Sequence, residues 1–390
     1  MRSRTNCSIS SREVYSWTRE CLLQAKLAKD HGWRCTTAVV LGIVLRAAAR
    51  SISVSAACRD LANGPSDQAV MTALEDGLPK TLTVLERRLN NALVDYLPRR
   101  IRRRAWEVAI DWHLDPYYGL PYRSRNEIYY GQPKQGTTKF HAYASACIVE
   151  YGRRYTLALT WVRRHESTIT VLRRLLARIR EIGLKIRCLL LDRAFFNVAV
   201  IAFLQQENLP FLMPVKLSGR RPKNPRKPTT GLRWIKRQAA GWYSHTMKSG
   251  AQEVTFSVCA GYRRYRNRKD GKQRRQKLLF AAWRVRGSPT DIRERYRKRF
   301  GIETSYRQRR QGRIYTCTRN PHLRLFFVAL AFILRNVWVW IHQMRLADGS
   351  GDGLTLRLEL LRFKRMLDWI VHEVMTLFHD GPTPYVTRPP

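Results

Sequence analysis

The hydrophobic period of this chain changes in the middle, and the order of the change leaves few architectures open. Before residue 100 the pattern is helical, with apolar residues at three and four spacing, as at Leu82, Leu85, Leu89 and Leu93. A basic run at 98–104 closes that region. Residues 106–113, 140–151 and 155–162 then alternate and are rich in Val, Ile, Tyr and Thr, which predicts three strands in succession. A helix at 168–182, a strand at 186–191, a helix at 197–206 and a strand at 210–215 should follow. Successive strands pair antiparallel and helix-linked strands pair parallel, so the expected fold is α/β with a mixed sheet.

Residues 218–231 combine Pro, Gly and basic side chains and should form a loop. Strands are expected at 241–248, 253–262 and 276–285. Between the last two, residues 262–277 hold nine Lys or Arg and one acid, Asp270, and read as a basic loop. Helix should resume at about Pro289 and run to His379, with breaks near 319–321 and 348–353 and a frayed end at 382–390. Within the N-terminal helices, 55–62, a break at Asn63-Gly64-Pro65, and 66–78 have the dimensions of a helix-turn-helix, with Ser66 placed to cap its second helix. That second helix carries Asp67, Glu75 and Asp76 and no Lys or Arg, which favours an ordinary helical hairpin over a DNA-reading element. Four regions result: a helical, DNA-binding type of region at 1–100, a core at 101–217 and 278–345, a β-rich basic insertion at 218–277, and C-terminal helices with a tail at 346–390.

Charge narrows the partners. The 390 residues include 72 Lys plus Arg and 29 Asp plus Glu, a net charge of +43. Self-repulsion on that scale is useful mainly against a polyanion, and nucleic acid fits better than a membrane surface. With 44% hydrophobic residues and 11 Trp the chain is no basic tail. Its eight cysteines contain no C-x-x-C pair, so free thiols are expected and zinc is not. No apolar leader precedes Glu13, and the apolar run 325–341, broken by Arg335 and Asn336, reads as a core helix; the chain is expected to be soluble and intracellular.

Acids are scarce, so their positions carry information. Asp111 follows Val108-Ala109-Ile110 and Asp192 follows Leu189-Leu190-Leu191, each a carboxylate closing an otherwise apolar strand. A turn or cap role would suit either acid alone. Glu303 stands in a very basic helix predicted over 291–313, where Tyr296, Arg299, Glu303 and Arg310 fall within an arc of about 60° on one face. On spacing alone, Glu303 could equally pair with Arg299 and Arg307.

Tyr296-x2-Arg299-x3-Glu303-x6-Arg310 resembles the Y-x2-R-x3-E-x6-K signature of insertion-sequence-four DDE transposases, and Arg299-Phe300-Gly301-Ile302-Glu303 resembles its R-[WF]-x-I-E core. Leu191-Asp192-Arg193-Ala194-Phe195-Phe196 is similar to the segment around that family's second acid, and Ala109-Ile110-Asp111 to that around its first. Pro116-Tyr117-Tyr118-Gly119 is similar to the branch typified by haloarchaeal insertion sequences. The resemblance implies a ribonuclease-H-like core in which Asp111, Asp192 and Glu303 are the catalytic carboxylates and bind two Mg²⁺, with Mn²⁺ as a substitute and no nucleotide cofactor. It implies cut-and-paste transposition, with a hairpin as one excision route, and assigns Tyr296, Arg299 and Arg310 to phosphates. Partners would be double-stranded DNA, as terminal inverted repeats and target, and a second copy of the chain, in a bacterial or archaeal nucleoid. The family's β-rich insertion falls between Asp192 and Glu303. There Arg263, Arg264 and Lys277, with Arg193, would track DNA, and Trp242 and Trp283 would stack on a base or serve as core.

Two departures stand out. Arg310 replaces the usual lysine, keeping charge but presenting a planar fork. Trp112 and His113 follow the first acid where small hydroxyl residues are commoner, and Asp115, on the same strand face as Asp111, is a second candidate ligand, although Asp115-Pro116 reads as a turn. A non-catalytic DNA-binding protein and a structure-selective nuclease on the same core compete with the transposase reading. A tyrosine recombinase does not, since His322-Leu323-Arg324 is not H-x-x-R.

Overall fold

A computed structural model describes residues 8–61, 63–220, 228–267, 270–348, 356–378 and 385–387. Strand β1 (Ser8–Ser10) leads into helices α1 (Ser11–Gln24), α2 (Thr37–Arg50), α3 (Val54–Arg59), α4 (Asp67–Gly77), α5 (Leu82–Val94) and α6 (Arg99–Arg102). Each of the first five starts at a Ser or Thr whose hydroxyl accepts a backbone N–H of the first turn, and Ser66 takes this role for α4 through Ala69. Next come β2 (Ala105–Pro116), β3 (Tyr129–Lys134), β4 (Thr137–Ile148), β5 (Thr156–Val162), α7 (Thr168–Glu181), β6 (Lys185–Leu191), α8 (Val198–Gln206) and β7 (Phe211–Pro214). The remainder is α9 (Gly231–Ile235), β8 (Gly241–Ser249), β9 (Gln252–Arg266), β10 (Gln273–Trp283), α10 (Pro289–Arg297), α11 (Phe300–Arg309), α12 (Pro321–Ile341), α13 (Phe363–Thr376) and β11 (Tyr385–Thr387).

The main sheet runs β3-β4-β2-β6-β7-β10-β9-β8, and β5 shares with β3 the outer edge of β4. Within it, β5-β4-β2 are antiparallel while β2-β6-β7 are parallel, the mixed order expected of three strands followed by two helix-linked ones and the ribonuclease-H-like core that the resemblance implies. Strands β8 to β10, which lie between Asp192 and Glu303 in sequence, continue this sheet through β10 and β7, and β10 crosses the boundary expected at 277. Helix α12 packs against α5 and β5 and is buried along nearly its whole length. Together with the turn that follows it, Pro321–Leu346 is long and apolar enough to cross a membrane, yet 94% of its most apolar window is buried inside the protein. The described cysteines are free, and all but Cys317 are buried.

Side-chain amides seal the free edge of β5. Asn90 of α5 donates to Leu159 O and accepts from Leu159 N, both at 2.8 Å, while Asn336 of α12 donates to Thr156 O at 2.7 Å and accepts from Thr156 N at 2.9 Å. An edge that would otherwise template pairing is thereby satisfied from within.

Four sequence expectations need correction. Residues 262–277 are mostly a hairpin, with β9 and β10 paired out to Gln273–Arg266. Tyr262 and Tyr265 stand there among the cations, with Arg275 at 4.3 Å from the Tyr262 ring and Arg263 at 5.4 Å from the Tyr265 ring, and such contacts let a charged segment stay extended. The helix expected over 291–313 is broken: Arg299 N bonds Tyr296 O and Gly301 N bonds Lys298 O, three-residue closures that separate α10 from α11. A Cβ at Gly301 would stand 2.9 Å from Arg154 Nε and 3.4 Å from Val149 O, so glycine permits this close docking. Asp111 lies inside β2, because β4 continues to pair with it as far as Pro116 and keeps Asp115 extended as well. At the C-terminus, Tyr385–Thr387 pairs with Ser8–Ser10 instead of fraying. The loop at 218–231 is described only at its ends, the break at 348–353 only at Asp348, and the tail only at 385–387.

Candidate active site

Parallel pairing of β2 with β6 ends at Ile110 and Leu191, so the next residue of each strand, Asp111 and Asp192, emerges at the same level of the sheet. Asp192 caps a 3-10 turn, Arg193–Phe195, by accepting from Arg193 N, and Asp111 Oδ1 accepts from Trp112 N at 2.9 Å. Tyr306 of α11 donates to Asp111 O at 3.1 Å and lies 2.9 Å from Ser145 Oγ, fixing the helix to the strand.

Arg299, at the joint of α10 and α11, turns inward and is 6% exposed. Its guanidinium lies 3.0 Å from Asp111 Oδ2, 3.9 Å from Asp192 Oδ2 and 3.1 Å from Glu303 Oε1. One cation thus gathers all three acids singled out from sequence. Burial pushes the Asp111 carboxyl up to about 6, against the pull of Arg299. Burial also works against the Arg299 charge, but the carboxylates outweigh it and its pKa is raised.

Asp115 is held elsewhere. His113 Nε2 lies 2.6 Å and Arg309 3.6 Å from its Oδ1, and despite burial these partners keep it well below the usual carboxylate range. Glu107, which sequence reasoning passed over, is buried and faces Arg295 at 2.9 Å, Lys298 at 3.0 Å and Arg187 at 3.7 Å. Its signal was available: Glu107, Asp111 and Asp115 recur every fourth residue, on one face of β2. Each meets cations from the α10–α11 segment, so a ladder of ion pairs sets that segment against the strand.

Beside this centre lies a groove of about 790 Å³. Arg193, Lys236, Arg263, Arg264, Lys277, Arg293 and Arg297 line it together with Tyr296 and Phe300, and among the described residues no acid does. Lys277 Nζ is buried there without a hydrogen-bond partner. Tyr296 donates from its hydroxyl to Leu191 O at 3.2 Å and packs on Phe280, so its phenol is tethered next to Asp192. Five of the residues expected to bind DNA (Arg193, Arg263, Arg264, Lys277 and Tyr296) therefore share one concavity. The others do not join them there. Arg310 is exposed in the turn after α11, Trp242 donates from Nε1 to Gly287 O at 2.9 Å, and Trp283 is half-buried opposite Phe211.

Three carboxylates supply the hard oxygen donors that a divalent cation prefers, so the donor set suits such an ion in its chemistry. Among the described residues no three acids, histidines or cysteines are grouped to hold a metal ion as they stand, and these three carboxylates each face Arg299.

None of the curated proteins matches this sequence. A cryo-EM structure of piggyBac transposase, a synaptic complex with hairpin DNA, superposes with a TM-score of 0.51 at 15% identity, over 95% of this chain and 79% of that one. At that identity the likeness is one of fold. Residues 102–337, well over half the chain and inclusive of all three acids, match the family described as Transposase DDE domain, and the chain belongs to that family.

Proposed function

We propose that the chain is the cut-and-paste transposase of an insertion sequence, of the insertion-sequence-four type, acting as a homodimer on its terminal inverted repeats and then on target DNA. The observation that carries this reading is the convergence of Asp111, Asp192 and Glu303 on one buried guanidinium, beside an acid-free cationic groove. Mg²⁺ ions, or Mn²⁺, held by those three carboxylates would activate the attacking oxygen and stabilise the leaving one during in-line displacement at phosphorus. In the first step water forms a bond to phosphorus and the bond to the element's 3′ oxygen breaks. The freed 3′-hydroxyl then attacks a second phosphodiester, in the opposite strand to form a hairpin or in target DNA to join the element, and the bond from that phosphorus to the attacked strand's 3′ oxygen breaks, leaving a new 3′-hydroxyl.

The groove supplies what this chemistry needs of a protein surface. Arg193, Arg263, Arg264 and Lys277 would hold the phosphates of the strand entering the centre, and Arg310 those beyond α11. Phe300, half exposed at the groove wall, and Trp242 offer faces on which an unpaired base can stack. Tyr296 would press on the 5′ end next to Asp192. The setting is the nucleoid of a bacterial or archaeal cell.

Two measurements test the binding half of this reading. Affinity for a duplex carrying one inverted repeat should fall on the order of 10³-fold between 50 and 200 mM salt, as for release of counterions from about six phosphates. A nearly flat salt response would contradict it. The double substitution Arg263→Glu with Arg264→Glu should weaken binding by at least about tenfold and flatten the salt slope by about two. Unchanged affinity would remove the groove from the DNA path.

A further inference from the structure

We infer that Arg299 is the resident counter-ion of the carboxylate centre and exchanges with divalent cation, swinging from the acids to a DNA phosphate when the ion enters. The inference rests on the reading that Asp111, Asp192 and Glu303 are the metal ligands.

Three observations support it. The oxygens that Arg299 engages are one from each of the three acids, so an ion drawn to that set meets a charge already there. A divalent ion placed among the same three oxygens would compete with the guanidinium for them, and each charge disfavours the other there. The guanidinium is also incompletely satisfied, since its Nε is buried without a hydrogen-bond partner although the residue is 6% exposed. Finally, it has somewhere to go. Tyr296 and Phe300, just before and after Arg299, both line the acid-free groove, where a strand's phosphates would present the nearest anions.

The exchange links two ligands. Metal expels the guanidinium and phosphate accepts it, so each should favour binding of the other through this one side chain. Without metal, Arg299 holds the acids together and limits their mutual repulsion.

Mn²⁺ titration of the full chain by isothermal calorimetry tests this, with Arg299→Met and Arg299→Lys beside wild type. Measurements are made alone and with a duplex whose 3′ ends are blocked, so that no joining follows. Arg299→Met should bind Mn²⁺ about tenfold more tightly than wild type, with Arg299→Lys between them because a single ammonium engages fewer oxygens than a fork. The duplex should tighten Mn²⁺ binding about tenfold in wild type and less than about twofold in Arg299→Met. Unchanged or weaker Mn²⁺ affinity in folded Arg299→Met would overturn the exchange. Should that variant not fold without metal, Arg299→Lys carries the test, and affinity equal to wild type overturns it. If neither wild type nor Arg299→Lys binds Mn²⁺, the assignment of the three acids as metal ligands fails as well.

Discussion

Asp192→Asn and Glu303→Gln should each lower cleavage of DNA bearing the element's ends by at least about three orders of magnitude, while affinity for that DNA changes less than about threefold. Both substitutions keep volume and hydrogen-bonding shape and remove only the charge a divalent cation requires. Asn is itself a good capping residue, so the Arg193–Phe195 turn should survive in Asp192→Asn. Glu303 is half exposed and outside the packed core, so its neutral form should cost little stability. A thermal melt separates a chemical defect from a folding one: Tm within a few degrees of wild type, with cleavage abolished, places the effect at the centre. Cleavage at wild-type rates in both variants would remove these acids from the reaction. Asp115→Asn offers a contrast within the same strand, since its oxygens are engaged by His113 and Arg309 and not by Arg299.

The largest expected effect on stability comes from a residue far from the chemistry. Asn336→Leu should destabilise the fold by about 3–5 kcal/mol, because a near-isosteric apolar side chain leaves buried backbone groups unpaired. The groups affected are Thr156 N and O and Leu93 O, which Asn336 engages at 2.9, 2.7 and 2.8 Å. All lie in the seam where α12 and α5 cover the edge of β5. Chemical denaturation should show a lower midpoint with little change in slope; a loss under about 1 kcal/mol would mean that water or a shifted backbone replaces the amide.

Much of this organisation was legible in the sequence, and the exceptions share a cause. The change of period gave the sheet its mixed pairing, and Asp111 and Asp192 were visible because acids seldom end runs as apolar as Leu189-Leu190-Leu191. The break before α11 was not visible. Residues 297–300 are compatible with helix, and what interrupts them is the docking of Gly301 against Val149 and the burial of Arg299 among acids more than a hundred residues away. The β9–β10 hairpin was hidden for the opposite reason: its charge suggested a loop, while its pairing and its Arg–Tyr contacts across the strands favour extension. Asn336 stood out only as an interruption of an apolar run. Its partner in β5 lies 180 residues away, a contact no local pattern reports.

The same distinction applies to Arg299. The resemblance of its segment to the transposase signature implied a phosphate contact for it, whereas in the fold it faces three carboxylates. The two roles are compatible if one precedes the other, which is the content of the proposed exchange.

The most direct test of the central claim is an incubation of the purified chain and Mg²⁺ with DNA bracketed by its own inverted repeats and a supercoiled target plasmid, read by sequencing the products. The expected result is release of the element and covalent joining of its 3′ ends to target strands, dependent on the divalent ion. DNA bound at the repeats but neither cut nor joined under Mg²⁺ or Mn²⁺, or cut at branched sites without joining, would contradict it.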